Sequence, residues 1–262
     1  MLLAIDIGNT NINIGLFDLL KSKDRHIPIV TWKVATAPSR MVDEYGILLV
    51  DLLENKKLSV DIISNVIISS VVPPLTNVFF EVSEKYLSMK PLIVGSGIKT
   101  GVKIVYDSPR DVGADRIADA AAIIKLYSNP AIVVDFGTAT VFDAISEDGQ
   151  YIGGAIVPGI SVSADALYHG TSQLRRVDLN TPKTAVGKNT IHALQSGLIF
   201  GHIAMVEGMI KRLKTELPGD PIVVATGGFS ELVNKNTQIF DYVDLNLTLS
   251  GLYCIFELNQ HK

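Results

Sequence analysis

Leu3-Ala4-Ile5-Asp6-Ile7-Gly8-Asn9-Thr10 returns about half a chain later as Val133-Val134-Asp135-Phe136-Gly137-Thr138-Ala139-Thr140. Each copy is an apolar, strand-like run ending in Asp-x-Gly and small polar residues. Each leads into a second apolar stretch that closes on Phe-Asp, at Phe17-Asp18 and at Phe142-Asp143. An internal echo marks duplicated architecture. It predicts two related halves facing each other across a cleft, with the boundary near residue 114, so that residues 1–114 and 115–262 form the two domains.

The surrounding sequence is that of an α/β protein. Short runs rich in Ile and Val, at Leu2 to Ile5, Val66 to Ser70, Ile132 to Asp135 and Ile222 to Ala225, alternate with helix-length segments. Val42 to Leu53 and Ala193 to Leu213 place apolar residues at helical spacing and predict amphipathic or buried helices. The chain has 262 residues, 47% hydrophobic and 19% charged, enough for one large core or two modest ones. A formal net charge of -4 and a pI near 5.7 give no global field favouring nucleic acid or an anionic membrane, so any phosphate must be held by local groups. The basic clusters Lys56-Lys57, Lys21 to Arg25, Arg175-Arg176 and Lys211 to Lys214 are short and read as solvated faces. Cys254 is the single cysteine, set in an apolar stretch, so it reads as a small buried hydrophobe in a reducing compartment. The opening residues lack a basic n-region and reach Asp6 too soon for a signal peptide, and no uninterrupted apolar run approaches the roughly 20 residues of a spanning helix. The expectation is a cytoplasmic protein with no nucleic-acid or membrane partner.

In Asp6-Ile7-Gly8-Asn9-Thr10-Asn11-Ile12-Asn13 a buried strand delivers an aspartate, a glycine and small polar residues into a turn. Glycine permits close backbone approach, and Asn, Thr and free N–H groups can surround phosphate oxygens. A carboxylate beside phosphates implies a hydrated divalent cation between them, which makes Asp6 a candidate Mg²⁺-side ligand. A hairpin turn rich in Asn and Gly is the alternative for one copy alone. In the second copy Asp135 could neutralise a cation and Thr138 could bond a phosphate of ATP.

Gly113-Ala114-Asp115-Arg116 opens an alanine-rich helix running from Ile117 to Leu126. Asp115 could simply cap free N–H groups there. It could also act as a general base on an alcohol attacking a γ-phosphorus, with Arg116 binding an anionic substrate. Asp119, one turn on, is a like charge that should raise the pKa of Asp115. Thr226-Gly227-Gly228-Phe229 would let an adenine or ribose lie against backbone, or is a plain strand-to-helix turn. Gly95 to Gly101 lacks dinucleotide-loop spacing, and Gly187-Lys188-Asn189-Thr190 lacks the leading glycine and final Ser/Thr of a P-loop. His26, His169, His192, His202 and His261 show no metal-ligand spacing.

Taken in order, Asp6-x-Gly8-Asn9-Thr10, Gly113-Ala114-Asp115-Arg116, Asp135-Phe136-Gly137-Thr138-Ala139 and Gly187-Lys188-Asn189-Thr190 resemble the motifs of type III pantothenate kinases. Gly153-Gly154-Ala155-Ile156-Val157-Pro158-Gly159 and Gly197 to Gly201 fit the same pattern. The resemblance implies two ribonuclease-H-like domains of the actin and sugar-kinase (acetate kinase/actin-like ATPase) superfamily, assembled as a homodimer. It implies transfer of the ATP γ-phosphoryl group to the primary hydroxyl of pantothenate, the first step toward coenzyme A. On that likeness Asp6, Ile7, Gly8, Asn9, Thr10, Asn11, Ile12 and Asn13 form the first ATP loop and Thr138 is a further ATP contact. Asp115 is the base. Tyr106, Gly113, Ala114, Asp115, Arg116 and Thr190 contact pantothenate, and Asp135 is a ligand of a monovalent cation, K⁺ or NH₄⁺, with Mg²⁺ accompanying ATP. Two positions depart from the pattern: Asp119 stands where relatives commonly have Asn, and Leu174-Arg175 where they have Leu-Pro. Another kinase of the superfamily, acting on a sugar or short carboxylic acid, and a non-catalytic ATP-binding regulator are the competing readings.

Overall fold

The computed structural model describes residues 1–21 and 23–260. Ser22, inside the basic cluster Lys21 to Arg25, and His261 lie outside the described residues. The chain begins with a meander of β1 (Leu2–Ile7), β2 (Asn11–Phe17) and β3 (Val30–Ala35). It continues through α1 (Val42–Glu54), β4 (Asn65–Ser70), α2 (Pro73–Leu87) and the short strands β5 (Leu92–Ile93) and β6 (Lys103–Ile104). Next come α3 (Ala114–Leu126), β7 (Ala131–Phe136), β8 (Ala139–Ile145), β9 (Gln150–Pro158), α4 (Ile160–Gly170) and α5 (Thr190–Ser196). The remaining elements are α6 (His202–Glu216), β10 (Ile222–Thr226), α7 (Ser230–Asn234), β11 (Tyr242–Val243) and α8 (Leu247–Asn259).

The echo in the sequence is an echo in topology. One sheet runs β3-β2-β1-β4-β5 and the other β11-β10-β7-β8-β9-β6. In each, three strands form an antiparallel meander, and the first of the three pairs in parallel with a later strand reached by a crossover, β4 in one case and β10 in the other. A parallel neighbour requires such a crossover, and helices supply it. Apart from β6, which adds to the edge of β9, the two sheets have the same order.

Burial explains why β1 is apolar at every position but Asp6. All six of its residues are buried, and alternate side chains enter different cores. Leu3, Ile5 and Ile7 join Tyr45, Leu49 and Leu53 of α1 and Leu75, Phe79 and Val82 of α2. Leu2 and Ala4 join Ala118 and Ala121 of α3 and Leu249, Leu252 and Ile255 of α8. In the second sheet Ile132, Val134, Val223 and Ala225 pack with Ile203, Val206 and Ile210 of α6.

The chain does not divide at residue 114. The first compact unit comprises Met1–Val102, Asp107–Tyr127 and the segment from Asn246 onward, and the second comprises Lys103–Tyr106 and Ser128–Leu245. The reason lies in the alanine-rich face of α3. It is too small to form a core by itself and is covered by α8, at whose Gly251 an added Cβ would stand 1.8 Å from the Ala118 carbonyl oxygen. Backbones so close belong to one packing unit, and both helices cover the face of the first sheet that carries Leu2 and Ala4.

The predicted helix from Ala193 to Leu213 lies within an unbroken helical stretch, Thr190–Glu216, with a π-helical turn at Gly197–Gly201. Contrary to the expectation from uninterrupted runs, this stretch is long and apolar enough to cross a membrane by length and composition. Its Leu198, Ile199, Ile203, Val206 and Ile210 are buried, and Ile199, Ile203, Val206 and Ile210 belong to the second unit's own core.

Candidate active site

In the first unit, Asp6 occupies the penultimate position of β1, with Asn13 opposite on β2 and Ser69 opposite on β4. The three strands meet at this carboxylate. Ser69 Oγ donates to Asp6 Oδ1 at 2.7 Å and Asn13 Nδ2 donates to Oδ2 at 3.2 Å. The intervening loop is the hairpin that the sequence also allowed: Gly8 N–H donates to the Asn11 carbonyl at 3.0 Å, and Ile7 pairs with Ile12. Thr36, beyond β3, straps it by donating its hydroxyl to the Gly8 carbonyl at 2.7 Å and its N–H to the Thr10 carbonyl at 3.0 Å. Asn9 and Thr10 are left exposed at the tip, whereas the Ile7 and Ile12 side chains are buried, so only their backbone can face a ligand.

Asp115 stands in the first turn of α3 and Gly113 is the residue before the helix. The Arg116 N–H donates to Asp115 Oδ1 at 2.8 Å, so the carboxylate does satisfy a helix-terminal donor. It also curls back over Gly113, where an added Cβ would lie 2.4 Å from the same oxygen. Gly113 has ordinary backbone angles (φ -58, ψ 147), and the carboxylate above it is what leaves no room for a side chain. Burial pushes the Asp115 carboxyl up from its ordinary value, with Arg116 opposing.

Asp6 is pushed up to about 6, first by burial and then by the charge of Asp115, with the Ser69 and Asn13 hydrogen bonds pulling the other way. The strand end and the helix start therefore present two carboxylates that sense each other, an arrangement that disfavours ionising both. Asp119 does something different from what the sequence suggested. It is buried, Thr248 of α8 donates to its Oδ1 at 2.7 Å, and the leading cause of the Asp115 shift is burial rather than Asp119.

In the second unit, Asp135 is half-buried near the end of β7, in register with Thr226 of β10. Gly227 follows with φ 87, a conformation that favours glycine, and a Cβ there would lie 2.2 Å from Asp135 Oδ1 and 2.6 Å from Phe136 N. Thr226-Gly227-Gly228-Phe229 is thus the wall behind a carboxylate as well as a strand-to-helix turn, closed by the Ser230 hydroxyl donating to the Gly227 carbonyl at 2.7 Å. Thr138 is exposed at the tip of the β7–β8 hairpin, and its carbonyl accepts from Gly159 N–H at 3.1 Å. Tyr106 packs edge-on against Tyr151 (centroids 6.3 Å apart), and Thr190 is exposed at the start of α5. Asn189 caps that helix by accepting from His192 N–H at 2.9 Å, which explains Gly187-Lys188-Asn189-Thr190 without a P-loop.

The first unit accordingly brings together Asp6, Asn13, Gly113, Ala114, Asp115 and Arg116. The second brings Asp135 beside Gly137 and Gly227, while Tyr106 lies in the loop after β6 and Thr190 at the start of α5. Reading the sequence did not single out Ser69, although a polar residue ending an apolar strand beside β1 is a usable signal.

Among the described residues no three His, Cys, Asp or Glu side chains form a metal cage. The donors present are still the oxygen type that hard cations take. Asp6 and Asp115 together carry negative charge that a divalent cation would relieve, and Asp135 offers a carboxylate beside tightly approaching backbone, so both groups fit Mg²⁺ and a monovalent ion respectively.

Among solved structures, the chain is similar to a conserved protein assigned to the Baf family of transcriptional activators from Campylobacter jejuni, at 19% identity and a TM-score of 0.62 over 98% of each chain. It is similar to an inorganic polyphosphate/ATP-glucomannokinase from Arthrobacter sp. strain KM, at 14% identity and a TM-score of 0.52 over 99% of each chain. It also resembles the activator of 2-hydroxyisocaproyl-CoA dehydratase from Clostridium difficile with bound ADPNP, at 12% identity and 0.52, over 97% of this chain and 94% of that one. Such identities speak for the fold alone, which this chain shares with these proteins. A sequence profile of type III pantothenate kinases matches residues 2–212, a span that takes in the Asp6 loop, the Gly113-Ala114-Asp115-Arg116 turn and the Asp135 loop, and the chain belongs to that kinase family.

Proposed function

We propose that this kinase transfers the γ-phosphoryl group of ATP to the primary hydroxyl of pantothenate, giving 4'-phosphopantothenate, the first step of coenzyme A synthesis, as a cytoplasmic homodimer. The observation that carries the reading is the Asp6–Asp115 pair. Two carboxylates from a strand end and a helix start are both raised by burial, and one is raised further by the other. A fold gains nothing from such a pair, and perturbed carboxylates of this kind concentrate where chemistry is done. The same point weighs against a purely regulatory ATP-binding protein, which could lose either charge without harm.

In this mechanism Asp115 accepts the proton of the attacking hydroxyl. Its upward shift brings it nearer to working pH, where a base both holds the right protonation state and accepts a proton readily. Arg116, beside it, attracts the substrate carboxylate. Asn9, Thr10 and the backbone of the first loop hold phosphate oxygens, and Thr138 is carried over as an ATP contact by the family resemblance alone. Asp6 would hold Mg²⁺ through its hydration shell and Asp135 would hold a K⁺ or NH₄⁺ ion, and such cations would offset phosphate charge where no P-loop lysine is present. Phosphoryl transfer depends chiefly on positioning and charge neutralisation, which is what these groups offer.

The test is ATP-dependent phosphorylation of pantothenate by the purified protein in K⁺ buffer, repeated with Na⁺ in place of K⁺ and with Asp115→Asn. Removing the base should lower turnover by roughly 10²- to 10⁴-fold. A folded protein that binds ATP but leaves pantothenate unmodified would sink the substrate assignment.

A further inference from the structure

We propose that His202 is a positioning residue for the second phosphate loop, holding the Gly137-Thr138-Ala139 turn in place through Thr140 and Phe136. The inference rests on the kinase reading of that loop. Phe136, the last residue of β7, and Thr140, at the start of β8, are the cross-strand pair that closes the turn. Both meet His202. Its Nε2 lies 2.9 Å from Thr140 Oγ1, and its ring stands 6.3 Å from that of Phe136 at 57°. Thr140 is 1% exposed and His202 8%, so the hydrogen bond between them is shielded from water.

Packing alone does not account for this histidine. Its neighbours on the helix, Ile203, Val206 and Ile210, are apolar, and a hydrocarbon at 202 facing a valine at 140 would avoid the cost of burying two polar groups. Burial lowers the imidazole's pKa and so favours its neutral form, able to share one hydrogen bond with a hydroxyl. The helix also changes its winding just ahead of it: the π-helical turn at Gly197–Gly201 ends immediately before His202. One inserted residue turns the following face by about 100°, and such turns are poorer than α-helix and recur at functional sites. On the turn's other side, Gly159 N–H donates to the Thr138 carbonyl at 3.1 Å. The loop bearing Thr138, with Asp135 at its base, is thereby held from two directions.

The test compares His202→Phe, Thr140→Val, the double variant and His202→Gln with the wild type. It reads ATP affinity by calorimetry, KM for ATP and for pantothenate separately, and melting temperature. His202→Phe and Thr140→Val should each weaken ATP about tenfold, the worth of one hydrogen bond to loop order. The double variant should be no weaker than either single one, pantothenate KM should stay within about twofold, and His202→Gln should recover most of the loss. Unchanged ATP affinity with only a lower melting temperature, or strictly additive losses, would overturn the proposal. Should His202→Phe fail to fold, Thr140→Val and His202→Gln decide the question alone. A wild type that binds ATP yet leaves pantothenate unmodified defeats the substrate reading and leaves the calorimetric comparison intact, whereas a wild type that binds no ATP defeats the loop reading and this proposal together.

Discussion

Asp6 shows how much stability a single side chain can surrender to a site. Its carboxyl is pushed up to about 6, so ionising it costs the folded protein on the order of 3 kcal/mol. The folded state keeps the proton up to about pH 6, while the unfolded chain releases it near 4. Between those values the native state binds more protons, and stability falls as pH rises through that window. Asp6→Asn should therefore stabilise the protein at pH 8 by on the order of 1–3 kcal/mol and leave it unchanged near pH 3, since the Asn13 amide can turn to present its oxygen and Ser69 keeps an acceptor. Urea titrations at the two pH values check this, and an equal effect at both would contradict it. Gly113→Ala makes a complementary prediction. The backbone accepts alanine, but its methyl group would displace the Asp115 carboxylate. Turnover should fall by roughly one to two orders of magnitude with the melting temperature nearly unchanged, as misplacement of a catalytic group does. The Asp-x-Gly loops and Gly113 to Arg116 were legible because chemistry needs those residue types at a strand end or helix start. Ser69 was not, because its value comes from strand register, which a lone sequence does not display.

At the scale of elements, the sequence marks α3 as a helix but not the sheet that it covers. The echo of two Asp-x-Gly strands suggested a cut at 114, and nothing in Gly113 to Leu126 says which sheet the helix will cover. That is decided by α8, far along the chain, whose Gly251 admits the Ala118 carbonyl at a distance no side chain would allow. Gly251→Ala should push α3 and α8 apart and carry Asp115 with α3. We expect a loss of stability of about 1–3 kcal/mol, typical of an overpacked core, together with a loss of turnover, although residue 251 is neither a loop nor a candidate ligand contact. Denaturant titration alongside kinetics checks the coupling, and destabilisation with full activity at low temperature would show that α3 does not move. The apolar strands and the helices Val42–Glu54 and Ala114–Leu126 follow from periodicity alone, because burial on a strand or helix face writes itself into spacing. The 3-2-1-4-5 order does not, since pairing partners are set by crossovers.

For the whole molecule, the duplicated sheets are built from unequal stretches of chain. The second unit is nearly continuous, whereas the first is assembled from three segments, the last of them entered at Asn246 after the chain has completed the second sheet. Its core beneath Leu2, Ala4, Phe17 and Ile67 contains Leu249, Leu252, Tyr253, Ile255 and Phe256 of α8. Burying each such side chain is worth roughly 1.5–3 kcal/mol, so their sum rivals the whole stability of about 5–15 kcal/mol typical of a domain. A chain ending at Leu245 should therefore leave the first unit unable to fold. The core formed by Ile132, Val134, Phe136, Val206 and Val223 draws on no residue of α8 and should persist. Amide hydrogen exchange followed by mass spectrometry would then find β1 and β4 exchanging at the rate of an unfolded chain, with β7, β8 and β10 still protected. Protection retained in β1 and β4 would mean that α3 alone can close that face, and α8 would lose its place as the element on which the Asp6–Asp115 site depends.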